Sequence, residues 1–153
     1  MRKPLIGLIF WIGISLTAGW IGSRFLPGEW YASSVKPSWN PPSFVFAPVW
    51  SVLYVLIGLA AWLVWRRSGF MGASGALGLF LFQLFLNALW SYLFFGLHRP
   101  DLAFIDAVAL LLAILMNVLT FRRVSKPAGL LMLPYLFWVG FASVLNLQIW
   151  RLN

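Results

Sequence analysis

The chain has 153 residues, of which 62% are apolar and only 9% charged, and its formal net charge is +8. Ordinary water-soluble domains carry about 25% charged residues, so this composition excludes them. Cysteine is absent and histidine occurs once, which excludes disulfides, thiolate nucleophiles and cysteine-held metal or iron–sulfur sites.

The apolar residues fall in five long, charge-poor runs, over residues 5–25, 44–65, 76–97, 102–121 and 129–150. A bilayer core of about 30 Å takes roughly 20 helical residues to cross, and each run is near or beyond that length. A transmembrane barrel is excluded, because barrel strands are shorter and alternate with period two. Backbone groups in lipid must find partners within their own segment, which leaves helices. The expected fold is therefore all-α: a polytopic bundle of five transmembrane helices, one domain over residues 1–153.

The first run follows Arg2 and Lys3 and imitates a signal peptide. Its uncharged core is too long, and Arg24 follows it with no small-residue cleavage site, so a retained first helix is expected. The connection over residues 26–43 is the longest. It holds Pro27, Gly28, Pro37, Pro41 and Pro42 together with Trp30, Tyr31 and Trp39. Prolines reduce the conformations such a loop loses on ordering, and three aromatics argue for a folded lid over one end of the bundle. Near the start of the third run, Gly72, Ser74, Ala76 and Gly78 offer small residues at four-residue spacing. They read either as a close-packing surface between helices or as ordinary glycine use.

The basic residues sit in short clusters between the runs, which orients a membrane chain and argues against nucleic acid as a partner. One side receives Arg2, Lys3, Arg66, Arg67, Arg122, Arg123 and Lys126, with no acid. The other receives Arg24, Lys36, Arg99 and Arg151, with Glu29 and Asp101. The first side is expected to be cytoplasmic, so the N-terminus lies inside and the C-terminus opposite.

Ten tryptophans accompany the runs. Trp30, Trp39, Trp65 and Trp150 suit the membrane–water interface, whereas Trp11, Trp50, Trp90 and Trp138 lie inside spans. Helical spacing aligns Ala47, Trp50, Tyr54 and Ala61 on the second span. It aligns Gln83, Asn87, Trp90, Ser91 and Phe94 on the third, and Tyr135, Trp138, Ala142, Leu145 and Asn146 on the fifth. Pro134 is expected to bend that last helix. These faces read in two ways. Converging, they form a cavity for a flat apolar ligand with a polar edge; meeting directly, they form seams joined by amides.

Asp106 lies a turn inside the fourth span, with Leu110, Ala113 and Asn117 on the same face. An acid there is costly, and it is expected to pair with a helix end or an interfacial base. His98 beside Arg99 reads as an interfacial residue. No paired carboxylates, no nucleophile with a histidine base and no glycine-rich phosphate loop are present, and neither metal nor cofactor is expected.

Several stretches together carry a resemblance. They are Trp30-Tyr31, Lys36-Pro37-Ser38-Trp39-Asn40-Pro41-Pro42, Pro48-Val49-Trp50 and Leu53-Tyr54, then Leu86-Asn87-Ala88-Leu89-Trp90 with Phe94-Phe95-Gly96. Pro134-Tyr135, Trp138, Phe141-Ala142 and Leu145-Asn146 complete the set. In this order and spacing the chain resembles the tryptophan-rich sensory protein and translocator protein (TspO/MBR) family, also called the peripheral benzodiazepine receptor family, and fits a bacterial member. The resemblance implies a five-helix bundle whose first loop lids a pocket. It implies binding of porphyrins, notably protoporphyrin IX, and of isoquinoline-carboxamide and benzodiazepine-type drugs, in tetrapyrrole transport, sensing or disposal.

Carried onto matching positions, the ligand-binding residues would be Tyr31, Trp39, Pro41, Trp50, Tyr54, Asn87, Trp90, Trp138, Ala142 and Asn146. The resemblance also implies a homodimer. An alternative is an enzyme that degrades protoporphyrin IX in light and oxygen, for which Trp50 and Trp138 would be the catalytic residues. One departure is plain: Leu147 stands where the cholesterol-recognition pattern of animal members has tyrosine, and such patterns are weak even when complete. High-affinity sterol binding is not expected.

Overall fold

The computed structural model describes residues 4–153. Arg2 and Lys3, on which the orientation reading partly rests, lie outside the described residues. Six α-helices follow in order: α1 (Pro4–Ser23), α2 (Gly28–Ser33), α3 (Ser43–Gly72), α4 (Ser74–Ser91), α5 (Pro100–Val124) and α6 (Lys126–Leu152). Among the described residues, five helical segments are long and apolar enough to cross a membrane, with α2 left over as a short piece of the first connection. The chain is a multi-pass helical membrane protein.

Its surface follows from the solvent it is built for. Leu5, Ile9, Phe10, Phe82, Phe85, Leu112 and Phe137 are all exposed, because acyl chains accept them as readily as a protein core does. Helix association therefore rests on close packing and interhelical hydrogen bonds. Small residues supply the packing. At Gly58 a β-carbon would stand 2.7 Å from the Ile12 Cα, so α1 and α3 touch backbone to backbone there. Gly129 similarly lies against Arg122, where a β-carbon would meet the arginine Cβ at 2.8 Å. That closes the tight turn from α5 into α6, which Ser125 caps by accepting a hydrogen bond from the Ala128 N–H at 3.4 Å.

Three departures from the expected spans have local causes. The second span continues past residue 65 to Gly72, carrying Arg66 and Arg67 within the helix, and Arg66 lays its guanidinium 5.2 Å from the Trp62 ring. Its run breaks at Gly69 (φ 70°, ψ 170°), a conformation that side chains resist and glycine accepts. The third span is α-helical only to Ser91; Tyr92–Gly96 widen into a π-helical turn, a device that re-aims side chains. The fourth begins at Pro100, whose missing N–H costs nothing at a helix start.

The small-residue series does not form one surface. Gly72 ends α3, while Ala76 is buried and its carbonyl accepts from Asn117 Nδ2 at 3.2 Å. Only Ser74 and Gly78 of that series are exposed on α4.

Candidate functional site

Buried polar side chains tie the middle of the bundle together. Tyr54 on α3 donates its hydroxyl to Asn87 Oδ1 on α4. The Asn87 amide donates to the Tyr135 hydroxyl at 2.9 Å, and Tyr135 donates to Gln83 Oε1 at 2.6 Å. Ser15 on α1 joins the same level by donating to the Tyr54 carbonyl at 2.7 Å. Beyond this layer, on the side away from the lid, Ile57, Val64, Leu77, Phe80, Phe121 and Met132 fill the interior. That half is the amide-joined seam that the sequence offered as one reading.

On the lid side of the layer the other reading holds. A cavity of about 540 Å³ opens there, walled by α1, the lid, α3, α4, α5, α6 and the π-helical turn. Its volume is within the range of small-molecule sites. Trp50, Tyr54, Asn87 and Trp90 line it, as do Trp138, Ala142, Asn146 and, from the lid, Tyr31. The indoles and phenols stand close: Trp50 lies 5.6 Å from Tyr54 in a stacked pose and 6.4 Å from Trp138 at nearly a right angle. Tyr135 touches Trp50 edge-on at 6.3 Å from below and does not line the cavity.

Polar groups on the wall are few and mostly occupied. Trp90 Nε1 donates to Asn146 Oδ1 at 2.9 Å, and the Asn146 amide donates to the Pro100 carbonyl at 2.9 Å. Trp138 Nε1 is buried with no hydrogen-bond partner, an exception among buried polar groups, which normally find one. No charged side chain lines the cavity. Two cations stand over rings that line it: Lys36, 4.5 Å from the Tyr31 ring, and Arg24, 5.3 Å from the exposed Trp20 ring.

The structure does not bring Trp39 and Pro41 to the cavity wall. Both belong to the outer layer of the lid: Trp39 is 44% exposed and meets Phe141 edge-on at 5.7 Å, and the Pro41 carbonyl accepts from its neighbour Asn40 at 3.3 Å. The lid itself is fastened at several points. Trp30 stacks flat on His98 at 4.8 Å and meets Phe94 at 5.4 Å. Within the lid itself, Lys36 sits 4.5 Å over the Tyr31 ring. Asn153 grips Val35 at both backbone groups, accepting from its N–H at 3.0 Å and donating to its carbonyl at 2.9 Å.

One further expectation is corrected. Asp106 is buried, yet Oδ2 has no hydrogen-bond partner. Arg99, an interfacial base nearby in sequence, makes a two-pronged pair with Asp101 at 3.0 and 2.8 Å instead, which raises the guanidinium above its ordinary range. Trp11, inside the first span, packs at 5.9 Å on Phe80 in the filled half and takes no part in the cavity.

What sequence reasoning missed is α1. Leu16, Gly19, Trp20 and Ser23 form one wall. The only signal was the small-residue spacing of Gly19 and Gly22, which admits neighbours: a β-carbon at Gly19 would strike the Tyr54 ring, and one at Gly22 would lie 2.9 Å from Ser91 Oγ.

Residues 11–151 match the model of the TspO/MBR family. The chain is 43% identical over 160 residues to the tryptophan-rich protein TspO of Chlorobaculum tepidum, covering 100% of this chain and 99% of that one. It is 40% identical to protein CrtK of Rhodobacter capsulatus, over 89% of this chain and 86% of the relative. With the translocator protein of Homo sapiens the identity is 39%, over 87% and 82% of the two chains. A five-helix membrane bundle with this cavity, matched from end to end by such relatives, belongs to the TspO/MBR family.

Proposed function

We propose that this protein binds porphyrins, with protoporphyrin IX as the reference ligand, and related flat hydrophobic molecules, in tetrapyrrole transport, sensing or disposal. The observation that carries the reading is the aromatic-walled cavity of about 540 Å³, with no charged side chain among its described lining residues. Flat rings suit indole walls through offset and edge contacts. An uncharged wall directs carboxylates to the rim, where Lys36 and Arg24 stand over lining rings. Tyr31, Trp50, Tyr54, Asn87, Trp90, Trp138, Ala142 and Asn146 are the proposed contacts. Trp39 and Pro41 are assigned to the lid rather than to ligand contact.

Titration with protoporphyrin IX in detergent tests this by tryptophan-fluorescence quenching. Saturable quenching that weakens in Trp50→Phe and Trp138→Phe is expected; linear, unsaturable quenching would overturn the reading.

A second reading is favoured by one observation, the two indoles 6.4 Å apart on the cavity wall. A porphyrin held there could be broken down oxidatively in light and air, with Trp50 and Trp138 supplying electrons and the ligand itself carrying the photochemistry. Illumination should then yield a product that disappears in Trp50→Phe. Equal bleaching of unbound porphyrin would leave only binding.

The N-terminus is proposed to be cytoplasmic, with the lid outside. Labelling of a cysteine placed at residue 70 from the cytoplasmic side only is the expected result. A homodimer belongs to the same reading, with Gly78, Phe82 and Phe85 exposed on α4 and free to meet a second copy. Crosslinking that survives dilution in detergent is expected of it.

A further inference from the structure

At the end of the bundle away from the lid, the first turns of α1 are seated on α3. Gly7 is buried under the Trp65 ring, and a β-carbon at Gly7 would strike that ring. Trp62, one turn earlier on α3, donates its indole N–H to the Pro4 carbonyl at 2.7 Å. Beside these contacts runs a groove of about 370 Å³, lined by Ile6, Gly7, Phe10 and Trp65. Ile6 and Phe10 stand four residues apart on one face of α1 and form one wall. The half-buried indole of Trp65 forms the other. The groove faces outward, since Ile6 is 61% and Phe10 55% exposed.

Its depth in the membrane follows from the length of α1. Twenty residues make a helix of about 30 Å, the thickness of the hydrocarbon core. Pro4 then lies at the boundary of that core. Gly7, three residues further, lies about 4.5 Å below it, level with the upper part of an acyl chain. Trp62 and Trp65 occupy the interfacial zone that indoles favour.

Charge sits directly beside the groove. Trp62, Trp65 and Arg66 are three and four residues apart and share one face of α3. Arg66 therefore lies on the groove's side of the helix, its guanidinium 5.2 Å from the Trp62 ring. Arg67 follows it, and both arginines are exposed. None of the chain's acids lies at this end: Glu29 is in the lid, Asp101 at the start of α5 and Asp106 just inside it.

We propose that this groove holds one anionic phospholipid. An acyl chain lies between the Ile6–Phe10 ridge and the Trp65 ring, and the phosphate meets Arg66 and Arg67 at headgroup level. An apolar groove at membrane depth with cations beside it fits an amphiphile rather than a soluble anion. Guanidinium groups match phosphate oxygens in pairs, while the ammonium of a zwitterionic lipid would be repelled by the same arginines. The site is separate from the aromatic cavity and does not depend on what that cavity binds.

Native mass spectrometry of the full chain, released from detergent micelles, reads the site. The protein is titrated with equal amounts of dioleoylphosphatidylglycerol and dioleoylphosphatidylcholine, which share their chains and differ in their heads. The first bound lipid is expected to be phosphatidylglycerol by about tenfold, as two arginines at an anionic headgroup imply. Arg66→Gln with Arg67→Gln should reduce that preference to less than about twofold. Arg122→Gln with Arg123→Gln takes the same charge from the same end, away from the groove, and should leave it intact. Ile6→Trp fills the groove without touching charge and should lower occupancy by both lipids about fivefold, through lost apolar contact. Ile6, Arg66 and Arg67 are exposed, so these variants should unfold at the parent's temperature, which thermal unfolding in detergent checks.

No preference in the unaltered protein overturns the site. So does an equal loss in the two double variants, which would reduce the effect to general surface charge. Undiminished occupancy in Ile6→Trp overturns it as well, and so does displacement of the lipid by excess glycerol 3-phosphate, since the arginines alone would then hold the anion.

Discussion

The two halves of this bundle use the same helices and similar residues for opposite ends. Away from the lid, Gly58 lets α1 and α3 meet at the backbone, and Ile57, Val64, Phe80 and Phe121 leave no room. Toward the lid, the rings of Trp50, Trp90 and Trp138 wall a space instead of filling it. The Tyr54–Asn87–Tyr135–Gln83 chain divides them. Lipid supplies no hydrophobic force to close a void in such a bundle, so close fit and hydrogen bonds decide where it is solid. The lesson is that one half provides the rigidity that the other half lacks.

That contrast makes unequal demands on substitutions. The largest effect is expected in the filled half: Gly58→Leu forces a side chain into the α1 backbone and should cost about 2–3 kcal/mol by overpacking. Thermal unfolding in detergent reads the loss, and Gly13→Leu, which has open space around it, is the neutral control. Stability unchanged in Gly58→Leu would mean that the helices do not meet there.

At the dividing layer, Asn87→Ala strands the Tyr54 hydroxyl and takes from Tyr135 the bond it accepts, leaving Tyr135 its bond to Gln83. Unfolding should show a loss of about 1–2 kcal/mol, together with weaker ligand binding because Asn87 also faces the cavity. In the hollow half the expected pattern reverses. Trp138→Phe should leave unfolding nearly unchanged while lowering porphyrin affinity about tenfold, or roughly 1.4 kcal/mol, since its indole N–H has no partner to lose within the protein. Equal losses of stability and affinity would make Trp138 a packing residue.

The smallest effect is expected outside the wall. Trp39→Phe keeps a ring against Phe141 and should shift affinity less than about twofold, within the range usual for surface changes. A tenfold loss there would return Trp39 to the ligand contacts.

Much of this was readable in advance, for unequal reasons. The five spans follow from apolar length alone, because the bilayer fixes how many residues a crossing needs. Their ends shifted where backbone chemistry intervened, at Gly69 in α3 and at the π-helical turn Tyr92–Gly96. Trp50, Trp90, Trp138, Ala142 and Asn146 shared helical faces in the sequence, and those faces do converge. Leu16 and Trp20 gave no such sign, because a residue facing lipid and one lining an apolar cavity are apolar alike. Trp39 and Pro41 do not line the cavity: their motif lies in the lid, and only the fold of the lid decides which of its residues face inward. Asp106 was expected to have a partner, but Asp101 is closer in sequence to Arg99 and holds it.

By itself the sequence determined that the chain crosses the membrane five times as helices, with a proline-stiffened connection after the first. Hydropathy and backbone saturation in lipid leave no other form. Only the tertiary structure decided that the bundle is solid in one half and hollow in the other. Those features depend on the distance between helices, which glycine contacts, prolines and buried amides set jointly and no single segment encodes.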